Sequence, residues 1–440
     1  MTNLLLKRTT VYLILLPFSI ALGYSQFLRT SYFMEGSSLR QNLNPALQPT
    51  RGYLQLISLD SEMSSNTLGI SNMQDIIDSG NGFNDDDKLY DRLNNNNNAN
   101  LNINLNLLSI GWYHGKSFWS VNVGGRINAG MSIPKSMFDF TQSSLEEESE
   151  FESSNIQDMS LKLMGYTQLG IGYSRPINKR ITIGARAKLL LGMANADMKI
   201  DELSITRNEE NSTVKIKSQA HLYAALHGMG LKTDENGIIN DLDFKKFGIA
   251  GYGGAIDLGM EYRLTKNITL STAINDLGFI SWSKNSFSYA TSNTEREMSQ
   301  EEYDNIADGT ILDFDLFGLK KEEQQPSHRT SLYSTLVIGG EYMFAQKKLS
   351  LGVLSTTFFT QPKTLSEITL SATVRPSNGF NLALSYSGIQ SHAQSVGIGL
   401  KLGSLLIGSD YLFFGKNTRT FNLFFGFSHS IGKKKPTLDN

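Results

Sequence analysis

Residues 380–387 read FNLALSYS, residues 395–402 read SVGIGLKL and residues 421–428 read FNLFFGFS. In the first stretch Phe380, Leu382, Leu384 and Tyr386 alternate with Asn381, Ala383, Ser385 and Ser387. In the second, Val396, Ile398, Leu400 and Leu402 alternate with Ser395, Gly397, Gly399 and Lys401. In the third, Phe421, Leu423, Phe425 and Phe427 alternate mainly with Asn422, Gly426 and Ser428. A period of two puts each set on its own face of a sheet. Working outward, the same rhythm occurs at 101–107, where Leu101, Ile103, Leu105 and Leu107 alternate with Asn, and at 167–173, 181–189, 256–264, 268–274 and 368–374.

A soluble sandwich also alternates, so period alone does not separate it from a membrane barrel. Three features favour the barrel. The strands are numerous, about fourteen to sixteen, and many are long enough to cross a bilayer when tilted. Aromatic residues sit near strand ends on the apolar face (Trp119, Tyr173, Tyr262, Tyr342, Tyr411, Phe427), as interfacial girdles require. Connections differ sharply in length: tight ones at 177–179, 265–267, 346–347 and 377–379 contrast with long polar ones near 61–100, 134–164, 224–248 and 279–330. The expectation is an all-β fold, a transmembrane antiparallel β-barrel of about 14 (14–16) strands with an N-terminal hatch or plug segment. Two readings of residues 180–250 stay open. Either Asn195-Ala196-Asp197 is a tight external turn, giving about sixteen strands, or 224–248 crosses through or over the lumen, giving about fourteen.

The chain has 440 residues, 40 Lys+Arg against 42 Asp+Glu, 39 Gly, 9 Pro and no Cys. Balanced charge leaves no footprint for a nucleic acid partner. The lack of Cys removes disulfide frameworks, thiolate metal sites and Cys nucleophiles. Residues 1–25 have a basic start (Lys7, Arg8), an apolar stretch over 11–22 and small residues at Gly23 and Ser25. That is the layout of a cleavable signal peptide; the 12 apolar residues from 11 to 22 include Pro17 and fall short of the ~20 a spanning helix needs. Nothing later is apolar for long enough to be a spanning helix. The expected division is a signal peptide over 1–25, a hatch segment over 26–50, the barrel over 51–431 and a periplasmic tail over 432–440, in a bacterial outer membrane.

Residues 94–98 are five Asn and residues 146–152 hold five acids, both reading as solvated loop. The ligand spacing of a calcium loop is absent, so neither metal nor cofactor is expected. Residues 27–51 do not alternate and carry turn chemistry at Asn44-Pro45 and Gln48-Pro49. They are either a periplasmic tail or a segment folded into the barrel mouth, since a barrel this wide leaves a lumen to fill.

With Asn44-Pro45-Ala46 shortly after the signal and Gly-rich alternating strands to the C-terminus, the chain resembles the FadL-type outer-membrane barrels. Residues 29–36, RTSYFMEG, followed by Asn44-Pro45-Ala46-Leu47, bring it nearer the Bacteroidota branch. That branch includes the PorV-like proteins of the type IX secretion system and an uncharacterised outer-membrane family. The resemblance implies a fourteen-stranded barrel, Asn44, Pro45 and Ala46 as hatch residues, and passage of small hydrophobic or amphipathic molecules. The alternative it implies is a docking barrel that binds exported proteins. Partners would then be outer-membrane lipid and either a hydrophobic small molecule or exported proteins.

If the apolar sets face lipid, the opposite sets assign Arg126, Arg186, Lys188, Asp257, Glu261, Arg263, Glu341, Lys401 and Asp410 to the lumen. Mixed signs suggest ion-paired networks joining plug to wall rather than a one-sign selectivity ring. Arg186, Lys188 and Arg263 could also meet an anionic head group. Six His and many Ser allow a pair to be imagined anywhere, yet the nucleophile-elbow and zincin motifs are missing, and the glycines of 397–403 alternate on a strand with no helix following. The chain does not read as an enzyme.

Overall fold

Along residues 365–377 every second side chain is buried: Leu365, Glu367, Thr369, Ser371, Thr373 and Arg375. Between them Ile368, Leu370 and Val374 are 38–53% exposed. Polar residues inside and apolar residues outside invert the usual rule for a water-soluble chain, and fit a strand whose outer face meets lipid. The same inversion holds in the neighbouring strand, where Ser350 and Thr356 are buried while Leu351 and Val353 are half exposed.

The chain is described here from a computed structural model covering residues 29–35, 37–67, 93–145, 153–208, 212–244, 246, 248–306, 314–323, 327–360, 364–377, 379–389, 394–412 and 419–436. The expected signal peptide and the acidic run at 146–152 lie outside the described residues. A short helix α1 (Arg40–Leu43) precedes β1 (Arg51–Ser65), β2 (Asn96–His114), β3 (Ser117–Pro134), helix α2 (Lys135–Leu145), β4 (Ser153–Pro176) and β5 (Ile181–Asn208). Then come β6 (Thr213–Leu226), β7 (Met229–Thr233), β8 (Ile239–Phe244), β9 (Gly251–Arg263), β10 (Ile268–Trp282) and β11 (Phe287–Ser299). Helices α3 (Gln300–Ile306) and α4 (Phe314–Phe317) lead to β12 (Lys320–Lys321), β13 (His328–Ser331), β14 (Thr335–Phe344) and β15 (Leu349–Phe358). The chain ends with β16 (Leu365–Ser377), β17 (Phe380–Ile389), β18 (Ser395–Leu402), β19 (Leu405–Ser409) and β20 (Thr420–Lys434).

Fourteen strands close one antiparallel circuit: β1 to β5 in order, then β9, β10, and β14 to β20. Pairing of β20 with β1, from Tyr53 opposite Ser430 to Ser64 opposite Thr420, seals it. Closure leaves no sheet edge in the hydrocarbon layer. Short connections at 115–116, 177–180, 264–267, 345–348 and 403–404, and the one between Ser377 and Phe380, mark one end, the turn end, and the long connections mark the other, the loop end. The last strand runs to Lys434, past the expected barrel limit at 431.

Asn195-Ala196-Asp197 is not a turn. Strand β5 runs through it for 28 residues, far more than the ~9–11 that cross a bilayer. It pairs with β9 as far as Gly192 and with β6 from Ala194 upward. Strand β6 in turn pairs with β11, so the wall branches there and continues as an extension beyond the circuit.

The extension has the opposite polarity. On β5 below the branch, Arg186 and Lys188 are buried while Ile183 and Leu189 are 45% and 54% exposed. Above it Met198, Ile200, Leu203 and Ile205 are buried, and Lys199 and Lys217 stand at the surface in ion pairs with Asp201 and Glu202. These apolar residues join Met131, Ile133, Phe138, Phe140, Val214, Ile216, Leu316 and Phe317 in one large core. Among the described residues the long connections therefore contribute built structure as well as loop. Asn97, in the five-Asn run, is 1% exposed, because its side chain donates to the Asn94 and Ile133 carbonyls and accepts from the Asn94 N–H. Tyr411, expected in the outer girdle, is also buried: β19 ends at Ser409, the alternation lapses, and the ring turns inward to donate to Glu367.

Candidate functional site

Residues 29–49 cross the lower lumen as a chain of tight turns whose backbone bonds are mainly local, such as Tyr32 N–H to Arg29 O and Asn44 N–H to Arg40 O. They join no strand ladder among the described residues. The segment is held by side chains. Arg29 pairs with Glu367 and Asp410 and lies over the Tyr411 ring. The backbone N–H of Thr30 donates to Asp410 at 2.7 Å, and the Thr30 hydroxyl meets that of Ser385 at 2.6 Å. Tyr32 reaches Ser271, and Ser38 reaches both Gln55 and Ser428. Its apolar residues, Tyr32, Phe33, Met34, Leu39, Leu43 and Leu47, pack on the few apolar inward residues of the wall, among them Val337, Leu354 and Phe424.

Asn44-Pro45-Ala46 has a dedicated seat. The Asn44 side-chain amide donates to the Thr272 and Met260 carbonyls at 3.2 and 3.4 Å, and its oxygen accepts the Ala46 N–H at 2.9 Å. The seat is a notch made by Gly184 and Gly259, which face each other across β5 and β9. A methyl on Gly184 would come within 2.4 Å of Pro45, and one on Gly259 within 2.1 Å of Asn44. No side chain fits at either position.

Above this seat the charged residues converge. Arg126 binds Asp276 at 2.5 Å, Lys188 binds Asp276 at 2.6 Å and Asp257 at 2.7 Å, and Arg186 binds Asp257 at 3.4 Å and the Gln41 carbonyl at 3.1 Å. All five side chains are at most 7% exposed. Asp276 gets there through a bulge: the register of β10 against β9 slips between Ile274 and Leu277, and Asp276 takes a φ of +61°. Its neighbour Asn275 donates to the Leu43 carbonyl at 2.8 Å. Across the bulge, β13 ends at Ser331 and β14 starts at Thr335, so the wall pairing is interrupted at this level.

Of the charged residues expected in the lumen, Arg126, Arg186, Lys188 and Asp257 thus form one cluster. Glu341 is separate and binds Arg375, which also donates to the Phe33 carbonyl. Glu261 pairs with the half-buried Arg263 on its own strand, Asp410 belongs to Arg29, and Lys401 donates to the Gly403 carbonyl. Sequence reasoning missed Asp276, whose inward position depends on the bulge, and Arg375, Glu367 and Arg29. The strand pattern of 365–377 places Glu367 and Arg375 on the polar face and could have found them. The diglycines Gly124-Gly125, Gly253-Gly254 and Gly339-Gly340 are the places where the sequence suggests seeking a wall opening, yet ladder pairing continues through all three, with only a register slip between Asn106 and Leu108 opposite Gly124. The interruption lies at the β10 bulge instead. A small polar cavity lined by Asn42, Asp60, Asn104, Arg126 and Asp276 leaves about 10 Å³ for water-sized occupants, room for roughly one water.

The model of a family of unknown function (DUF5723) matches residues 45–410, and the chain belongs to that family. The match starts at Pro45, inside the seated motif. No curated protein sequence matches. Among solved structures, a deltaS2S3 mutant of the monoaromatic hydrocarbon channel TodX is similar at 10% identity over 90% of this chain and 95% of that one, with a TM-score of 0.46. The Ralstonia pickettii toluene transporter TbuX is similar at 8% identity over 88% of this chain and 92% of that one, TM-score 0.40. The translocator domain of the Neisseria meningitidis autotransporter NalP is similar at 9% identity over 89% and 91%, TM-score 0.33.

Proposed function

We propose that this DUF5723 member is an outer-membrane channel for small hydrophobic or amphipathic molecules, of FadL-like type, with residues 29–49 as its hatch. The observation that carries the reading is the mode of attachment of that segment. It fills the lower lumen but among the described residues belongs to no ladder, so it can shift without breaking the wall. Hydrophobic solute would enter at the loop end, where the inner face is apolar. Passage requires the hatch to move. Because Asn275 holds the Leu43 carbonyl, a shift at Leu43-Asn44 also frees the β10 bulge, and the interrupted wall beside it gives an apolar cargo a side exit. The hatch residues would be Asn44, Pro45 and Ala46, and the lumen ion pairs would hold the closed state.

The chain has no Cys, which makes a crosslink test clean. Thr30→Cys with Ser385→Cys places two thiols where hydroxyls now stand 2.6 Å apart, within reach of a disulfide after minor adjustment. Uptake of a labelled hydrocarbon or fatty acid by cells carrying the oxidised double variant should fall to the level of cells without the barrel, and return on reduction. Equal uptake in both redox states would mean the segment is a fixed part of the lumen.

A second reading is supported by the closed lower lumen together with the ordered extension: a docking barrel that binds exported proteins at its loop end. In that case protein extracted from its own membrane in mild detergent carries a stoichiometric protein and no enriched small molecule.

A further inference from the structure

The near-zero net charge hides a separation of charge along the barrel axis. None of the six turns contains Asp or Glu, whereas four carry exposed cations: Lys116, the pair Lys179-Arg180, Lys266, and the pair Lys347-Lys348. The end of β20 adds the exposed Lys433 and Lys434. The carboxylates nearest this end lie inside: Glu261 and Glu341 are bound by Arg263 and Arg375, and Glu35 faces Arg40 and Arg375 with Lys435 and Lys347 further off. Among the described residues no carboxylate forms an ion pair with any of the exposed turn cations. The loop end differs in that several of its lysines are neutralised locally, as Lys199 with Asp201, Lys215 with Glu295 and Lys217 with Glu202.

Two further facts say what these cations meet. They are spread over the turns joining β2 to β3, β4 to β5, β9 to β10 and β14 to β15, and over the end of β20, so they follow most of the circumference, the arc of β16 to β19 excepted, instead of forming one patch. Large exposed apolar residues stand beside them: Ile177 at 59%, Leu264 at 44%, Phe344 at 36% and Ile431 at 38%. A folded protein docks on one side, whereas a leaflet surrounds a barrel on all sides. An apolar belt bordered by basic residues matches acyl chains bordered by phosphates.

We propose that the turn-end rim is a binding ring for anionic glycerophospholipid headgroups, recruiting them into the leaflet around that end and fixing the depth and tilt of the barrel. The ring needs the membrane-spanning fold alone and holds whether or not the lumen conducts.

The test uses the full barrel in phosphatidylcholine vesicles with spin-labelled phosphatidylglycerol or spin-labelled phosphatidylcholine as probe. At low salt the wild type should retain the anionic probe at its boundary about fivefold more strongly, the equivalent of ~1 kcal/mol for a basic residue at an anionic surface. Half-molar salt should bring the two probes toward parity, as should a variant with Lys179, Arg180, Lys347, Lys348, Lys433 and Lys434 all changed to Gln. These side chains are exposed, and the heat-modifiable gel shift checks that the variant is folded; the salt arm needs no variant. Parity of the two probes on the wild type at low salt overturns the proposal. So does a preference that survives in the folded variant. An acidic periplasmic protein captured by the rim without any lipid preference would also overturn it.

Discussion

The lower barrel and the extension above it share a strand, yet they are built to opposite rules. On β5, Leu189 faces out and Lys188 in; a few residues higher, Lys199 is out and Ile200 in. The residue types and the period are the same in both halves. What changes is the solvent on the outer face. Lipid accepts Leu189 and rejects charge, so the cations there turn inward and need carboxylate partners. Water accepts Lys199, so the inner face of the extension can be apolar and close on itself as an ordinary core. Specificity in the lower half thus comes from paired charges, and in the upper half from packed side chains.

The largest effect should come from breaking the ion cluster of the lower half. Asp276→Ala leaves Arg126 and Lys188 without a shared partner in a buried site, which should cost about 3–5 kcal/mol, read as a lower urea midpoint of the folded, heat-modifiable band. If the loss is no greater than that of an exposed-loop control, the cluster is wetter than its burial implies. Next is the inversion itself. Leu189→Lys puts a charge on the lipid face and should cost about 2–4 kcal/mol, whereas Lys217→Leu on the outer face of the extension should stay within about 0.5 kcal/mol. Equal costs would mean that both outer faces meet the same medium.

The seat of Asn44-Pro45-Ala46 should show an effect of intermediate size. Gly184→Ala drives a methyl into Pro45 and should cost about 1–3 kcal/mol as overpacking. A rise in single-channel conductance should accompany it; conductance unchanged at full stability would show that the motif yields without opening anything. The smallest effect is confined to the extension and is driven by pH. His328 stacks on Tyr223 and Phe287. Burial lowers its imidazole pKa, with nearby Lys162 acting the same way and Asp197 opposing. Its folded value lies below its unfolded one, so the contribution to stability is level above about pH 6.5 and declines as pH falls below that, where the unfolded state takes up the proton first. Proteolysis of the extension should therefore quicken on acidification before that of the barrel wall. His328→Gln should remove the difference.

The fold was largely legible because a closed barrel is a local pattern repeated. Each strand announces itself by alternation, and the short turns mark one end. The failures have physical causes. Asn195-Ala196-Asp197 has turn composition, but it lies where β5 changes partner from β9 to β6, and a change of partner leaves no mark on a single strand. The five-Asn run reads as solvated, and Asn94, Asn95 and Asn96 are exposed, but the Asn97 amide is buried on the Asn94 and Ile133 carbonyls. Asp276 is invisible to period-two reading because a bulge, not the alternation, aims it inward.

The sequence by itself determined which side of each wall strand is apolar, that the strands are antiparallel neighbours joined by short turns, and that residues 27–51 lie outside the alternation. These follow from the period of two and from turn chemistry, which act over a few residues. Only the tertiary structure decided which charges pair, where the wall is interrupted, and that Asn44-Pro45-Ala46 sits in a two-glycine notch between β5 and β9. Those depend on residues brought together from distant parts of the chain, as Arg126 with Asp276 and Leu43 with Asn275, and on which medium bathes each face. No local stretch of chain carries that information.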